Sequence, residues 1–143
     1  MFGLTNKAII ITGGGAGVGR ATAFAFAEIG ARVVVADVDR ETGHEVIGQI
    51  KSRGQEAVFV EADISVSSEA QKVVSSSIEN YGGVDILFNN AGIQPLASYR
   101  NVEDHSEELW DRIMAVNVKG AFLMAKHAIP EMKKRRAGVI INN

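Results

Sequence analysis

Residues 8–19 read Ala8-Ile9-Ile10-Ile11-Thr12-Gly13-Gly14-Gly15-Ala16-Gly17-Val18-Gly19, and this stretch decides the fold. A short β-branched run, apolar throughout rather than alternating, marks a strand buried on both faces. It passes through a glycine-rich loop straight into a helix that starts near Val18. In such a loop Gly13 permits a tight turn and Gly17 lets backbone approach a phosphate. Gly19 lets the helix pack closely on the sheet, with small Ala21 and Ala25 behind it. The unpaired amides of a helix start, with their partial positive charge, hold a diphosphate without needing a lysine. A lone glycine loop is also the ordinary form of a strand-to-helix turn. Its placement between strand and helix is what favours the phosphate reading.

Outward from this unit the pattern repeats. Further buried-strand runs lie at Arg32–Asp37, Ala57–Glu61, Val84–Asn89 and Val139–Asn142. Helical stretches cover Val18–Ile29, Arg40–Arg53, Ser67–Tyr81 and Ser106–Arg135, the first three stopped by Gly30, Gly54 and Gly82. Asp104-x-x-Glu107 has the form of a cap for the last helix, and Pro130 is expected to kink or shorten its final turns. Strict alternation of strand and helix predicts an α/β fold: a doubly wound parallel sheet with right-handed crossovers and helices on both faces. The chain of 143 residues suits one domain, 1–143, with neither linker nor low-complexity tract.

Composition narrows the function classes. Charged residues make up 22% and the net charge is −2, so the attraction that nucleic acid or an anionic membrane surface needs is lacking and small molecules are the expected partners. The chain has no cysteine, which excludes thiolate chemistry and cysteine zinc sites and is compatible with a reducing compartment; the expected location is cytoplasmic. The apolar run after Lys7 is too short for a signal peptide or membrane span. His44, His105 and His127 lack metal spacing, so no metal is expected. Lys133-Lys134-Arg135-Arg136 ends a helix, where cations offset the macrodipole, and Trp110, Ile113, Met114 and Phe122 recur at helical spacing as core or subunit-interface residues.

The unusual polar residues fall at strand C-terminal ends: Thr12 and Gly13, Asp37, Asp63, and Asn89-Asn90. In open parallel sheets that edge carries the ligand crevice at the point where strand order reverses, here between strands one and four. Asp37 stands at the distance downstream of the glycine loop where an acid meets the adenosine ribose. A 2′-phosphate there would face a carboxylate, and Ala16 supplies no basic residue to offset it, so NAD is favoured over NADP. The plainer reading makes Asp37 a turn former ahead of a solvated helix start at Asp39 and Arg40.

Thr12–Gly19 (Thr-Gly-x-x-x-Gly-x-Gly), Asp63-Ile64, Asn89-Asn90-Ala91-Gly92, Asn117 and Gly138–Asn142 together resemble the short-chain dehydrogenase/reductase family, over nearly the whole chain. The resemblance implies a Rossmann fold with strand order 3-2-1-4-5 and a cofactor site formed by Thr12, Gly13, Gly17, Val18, Gly19, Asp37, Asp63, Ile64, Asn89, Ala91 and Gly92. Under it Asp63 takes the adenine amino group by its side chain and Ile64 contributes backbone. The Asn89 segment stabilises the central sheet and lines the nicotinamide ribose pocket. Asn117 acts in catalysis by bending its helix and holding a water of the proton relay. Read on residues alone, Asp63 is equally a cap or turn residue, the Asn89 segment a plain turn, and Asn117 a solvent-facing amide.

The same resemblance implies hydride transfer between NAD(H) and an alcohol or carbonyl substrate, and a homo-oligomeric enzyme. Gln94, Pro95 and Ser98 are the candidates for substrate contact. The family reaction also needs a serine after the fifth strand and a Tyr-x-x-x-Lys pair. Tyr81 and Tyr99 are followed four residues on by Asp85 and Glu103, so neither forms that pair. The expectation is therefore an NAD-binding portion, incomplete at its C-terminus and inactive by itself, whose fifth strand is an exposed edge inviting self-association.

Overall fold

The computed structural model describes residues 3–143. Five parallel strands form one sheet: β1 (Ala8–Thr12), β2 (Arg32–Asp37), β3 (Ala57–Glu61), β4 (Ile86–Asn89) and β5 (Val139–Asn142), in the order β3-β2-β1-β4-β5. The helices between them are α1 (Gly17–Glu28), α2 (Arg40–Ser52), α3 (Ser67–Tyr81), α4 (Glu107–Met114) and α5 (Ala121–Arg135). This is the doubly wound Rossmann arrangement that strand–helix alternation requires.

Ile9, Ile10 and Ile11 of β1 and Val33, Val34 and Val35 of β2 are fully buried, since helices cover both faces. Alternate side chains divide between two cores. Ile10, Val34 and Leu87 face α3 and α5, with Val73, Val74, Leu123 and Met124. Ile9, Ile11, Val33 and Val35 face α1 and α2, with Ala23, Ala27, Val46 and Ile50. Burying one such aliphatic side chain stabilises the fold by roughly 1.5–3 kcal/mol, so the inner strands anchor the domain.

The small residues that bring α1 onto the sheet are Ala23 and Ala27, not Ala21 and Ala25, which are exposed. The helix begins one residue earlier than Val18, and its inward face is the line Gly19, Ala23 and Ala27, four residues apart. β4 starts at Ile86 rather than Val84, because the Ala8 amide donates to the Asp85 carboxylate at 2.8 Å and the regular ladder opens only beyond it.

The expected single helix over Ser106–Arg135 is broken by a π-helical turn at Ala115–Gly120 between α4 and α5. Its N-cap is Ser106, whose hydroxyl accepts from the Leu109 amide, while Asp104 closes a separate 3₁₀ turn. α5 runs through Pro130 to Arg135 and is not shortened. Pro130 is exposed, so the carbonyl that loses its partner can be solvated. β5 is an edge strand, open along most of its length. Trp110 and Phe122 are 57% and 60% exposed, which rules out a core role for them. No helix among the described residues is long and apolar enough to cross a membrane.

Candidate functional site

A cleft of about 400 Å³ runs along the C-terminal ends of β1 to β4. It spans all four strand ends rather than only the gap between β1 and β4. Of the residues expected to form the site, Gly13, Gly17, Asp37, Asp63, Ile64, Ala91 and Gly92 line it. Thr12, Val18, Gly19, Asn89 and Asn117 are not part of the lining.

The glycine loop is shaped by contacts that a side chain would break. Gly13 has φ +64°, and a Cβ there would lie 2.9 Å from the Ala91 Cα. A Cβ on Gly19 would lie 2.1 Å from the Gly13 carbonyl oxygen and 2.6 Å from the Asn90 side-chain nitrogen, so this glycine lets the helix start close on its own loop. Gly17 is different: φ is +51°, and its Cβ position is open for 4 Å around. The N-cap of α1 is Ala16, which has no side-chain acceptor, so the first-turn amides are left without a capping group, with Ala16 and Gly17 lining the cleft. By contrast α2 is closed by Asp39, which accepts from Glu41 and Thr42.

Thr12 is fully buried and acts as a splice. Its hydroxyl oxygen accepts from the amides of Asn90 and Ala91, each at 3.0 Å. The Asn90 side chain returns to the carbonyls of Thr12 and Gly13 at 3.0 and 3.2 Å, so the β1 and β4 loops are held together. Asn89 is buried between β4, β5 and α5, donating to Asn142 at 2.9 Å and the Ala121 carbonyl at 3.4 Å. Within the motif, Asn90 rather than Asn89 faces the cleft.

Asp37 holds its carboxylate in place with backbone alone. Oδ2 accepts from the Gly15 amide at 2.9 Å and Oδ1 from the Asp39 amide at 3.0 Å. A Cβ on Gly15 would come within 2.9 Å of that carboxylate and 2.5 Å of the Thr42 hydroxyl, so the loop closes on Asp37 only because residue 15 is glycine. Asp63 makes an Asx turn, accepting from the Ser65 amide at 3.0 Å and the Ser65 hydroxyl at 2.6 Å. It also pairs with Arg112 at 3.0 Å. Partial burial pushes its carboxyl up, but the Ser65 hydroxyl, the Ser65 amide and Arg112 outweigh this and hold it below the usual carboxylate range. Ile64 is buried, and Gly120 is small because a Cβ there would lie 2.7 Å from the Ile64 side chain.

Asn117 lies within the π turn, yet its side chain does not simply point to solvent. Oδ1 accepts from the Ile93 amide at 2.8 Å and Nδ2 donates to the Ile93 carbonyl at 3.0 Å, which pins the loop after β4. The sequence reading missed Val38, Ile93, Arg112 and Val116, all of which line the cleft. Val116 could have been found from its position beside Asn117, whereas Arg112 carries no motif signal. No group of His, Cys, Asp and Glu among the described residues could hold a metal. Tyr81 is buried far from the cleft, its hydroxyl 3.5 Å from the Val33 carbonyl. Desolvation, with Glu56 adding to it and Arg32 opposing, pushes the phenol up to about 12.

The cleft combines uncapped helix amides and an open glycine, able to receive an anion, with a fixed carboxylate, able to receive hydroxyl donors. The family model for short chain dehydrogenase matches residues 7–143. An oxidoreductase of Thermotoga maritima is 48% identical over 137 residues, 96% of this chain and 53% of that protein. A 2,5-dichloro-2,5-cyclohexadiene-1,4-diol dehydrogenase of Sphingobium indicum is 37% identical, over 97% of this chain and 54% of its own. Among solved structures, NAD+-bound xylitol dehydrogenase superposes with a TM-score of 0.92 at 30% identity, covering 98% of this chain and 53% of that one. The chain thus spans about half the length of the curated relatives it matches.

Proposed function

The chain belongs to the short-chain dehydrogenase family, and from that premise we propose that it forms the NAD-binding part of an oxidoreductase acting on a small alcohol or carbonyl substrate. The observation that carries the cofactor choice is Asp37, fixed at the cleft by Gly15 and Asp39, with Ala16 rather than a cation beside it. When bound, NAD supplies the hydride acceptor. The chain's own groups bind and orient it: the amides at Gly17 to Gly19 receive the diphosphate and Asp37 accepts from ribose hydroxyls. Asp63 and Ile64 meet the adenine, while Asn117 steadies the Ile93 loop. A 2′-phosphate would bring negative charge against a carboxylate that has no ion pair among the described residues.

Calorimetric titration with NAD and NADP tests this reading. NAD is expected to bind at least about tenfold more tightly, as one charged hydrogen bond against a repulsion allows. Equal affinity or an NADP preference would overturn the cofactor choice, and no binding of either would overturn the site. The 143 residues contain no Tyr-x-x-x-Lys pair, so by themselves they are proposed to bind without turnover. NADH formation from simple secondary alcohols by this chain would refute that. The exposed Trp110, Met114, Val118 and Phe122 on one helical run support a homo-oligomer, which sedimentation reads directly.

A further inference from the structure

Arg112 belongs to none of the motifs, yet it is the only cation among the described residues that line the cleft. Nη2 donates to Asp63 Oδ2 at 3.0 Å and Nη1 to the Ser65 hydroxyl at 3.1 Å, while that hydroxyl donates to Asp63 Oδ1 at 2.6 Å. Guanidinium, hydroxyl and carboxylate form a closed ring. The ring has a consequence for Asp63 as an acceptor. A carboxylate offers about four acceptor positions. The Ser65 amide, the Ser65 hydroxyl and Arg112 take three of them, so about one remains for a ligand.

We propose that Arg112 is a positioning residue of the base subsite: it orients Asp63 so that the one free acceptor position meets the 6-amino group of a purine, and so sets preference for an amino over an oxo base. The proposal rests on the NAD reading of the same cleft. Its chemistry follows from polarity. An adenine presents an N–H donor to the free lone pair, and its N1 accepts from the chain's backbone beside Ile64. Hypoxanthine, with oxygen in place of the amino group and a proton on N1, sets acceptor against acceptor and donor against donor. That mismatch costs more when the carboxylate is held still than when it can swing away.

A purely structural role for the ion pair predicts something else. Arg112 is 49% exposed and Asp63 28% exposed, and pairs in such positions contribute about 0–1 kcal/mol to folding. The Arg112→Ala variant therefore keeps its fold, and ligand selectivity becomes readable. The same helical run carries Asn117, which holds both backbone groups of Ile93. One rod thus grips the loop after β3 through Arg112 and the loop after β4 through Asn117, on either lip of the cleft.

The experiment is calorimetric titration of the chain and its Arg112→Ala and Arg112→Lys variants with two probes, NAD and its hypoxanthine analogue, which differ only at the base. The unsubstituted chain is expected to prefer NAD by about tenfold or more. Arg112→Ala should bring that ratio towards one, mainly by weakening NAD, with the melting temperature unchanged. Arg112→Lys keeps the charge but cannot reach both Asp63 and Ser65, and should restore part of the preference. An unchanged ratio in Arg112→Ala overturns the role of Arg112 while leaving the NAD site intact. A ratio that rises overturns it too, because the guanidinium would then be helping the oxo base. Failure of the unsubstituted chain to bind NAD removes the underlying reading and this proposal together.

Discussion

Asp85, just ahead of β4, and Asp37, at the end of β2, are partly buried carboxylates at opposite ends of the same parallel sheet. Asp85 is 11% exposed and gives its oxygens to the Ala8 amide at 2.8 Å, to Lys7 at 3.3 Å and to Arg135 at 3.1 Å. Asp37 receives only two backbone amides, from Gly15 and Asp39, and faces the cleft. At the N-terminal edge the charge is neutralised and the strand starts are tied to α5. At the C-terminal edge the charge is held in position by two amides and faces the cleft without a counter-charge among the described residues. Stability should respond at the first edge, and binding at the second.

The largest expected effect tests where this division breaks. Gly19 lies at the ligand edge, but a Cβ there would press on the Gly13 carbonyl and the Asn90 side chain, neither of which can withdraw without opening the β1–β4 splice. Gly19→Ala is expected to cost about 3 kcal/mol, the upper end of overpacking, read by urea unfolding. A variant of unchanged stability would show that the loop yields, and that its tight closure is not part of the fold.

Next in size is Asp85→Ala, which leaves the Ala8 amide without its acceptor and Lys7 and Arg135 without a counter-charge. Because both cations are partly exposed, the loss should be about 2 kcal/mol. NAD affinity should be unaffected. The pH dependence carries the same signature. Burial raises the Asp85 carboxyl, but the Ala8 amide, Lys7 and Arg135 outweigh it and hold it below the usual range. A lowered folded value means that this stabilisation is complete above about pH 4, where the unfolded carboxyl is ionised, and is lost as pH falls through the folded value. The stability of Asp85→Ala should therefore fall less steeply in that acid range; equal slopes would place the acid sensitivity elsewhere.

Asp37→Ala sharpens the other side. NAD affinity should fall about tenfold to hundredfold, with the gap between NAD and NADP closing and the melting temperature little changed. A large drop in melting temperature with intact affinity would make Asp37 a turn former, the plainer reading its sequence position allows. Its two backbone bonds are compatible with either role, so affinity decides.

The difference in legibility between these regions has a physical basis. The strands and the polar residues at their ends could be read because a parallel sheet covered on both faces imposes near-continuous β-branched runs, as in Ile9–Ile11 and Val33–Val35, whereas the strand order comes from the family resemblance. Glycine positions could be read because backbone contact at Gly13 and Gly19 leaves no room for anything else. What remained hidden depends on side-chain reach between elements far apart in sequence. Arg112 meets Asp63 across 49 residues, and nothing local marks it. The buried line of α1 runs four residues apart from Gly19 through Ala23 and Ala27, so Ala21 and Ala25 fall on other faces. The hydrophobic pattern of the last helical stretch does not reveal the π turn at Ala115–Gly120, since apolar residues continue on both sides of it, and the bend there is expected from the family resemblance at Asn117 alone.

Asn117, inside that turn, carries the smallest expected effect. A single side chain satisfies both backbone groups of Ile93, at 2.8 and 3.0 Å, in a loop that is tied to β1 at Asn90 and Ala91 and then carries two short 3₁₀ turns. Each such bond contributes about 0.5–1.5 kcal/mol, and in an exposed setting the freed groups turn to water, so Asn117→Ala should cost about 1 kcal/mol locally. Hydrogen exchange at the Ile93 amide should speed up about fivefold, while amides in β1 stay unchanged. Asn117→Asp keeps the acceptor for the Ile93 amide but loses the donor to its carbonyl, and should lie between the two. If exchange at Ile93 does not move in either variant, the loop is held by its own turns. The loop after β4 would then owe its order to those turns and to the Thr12–Asn90 splice.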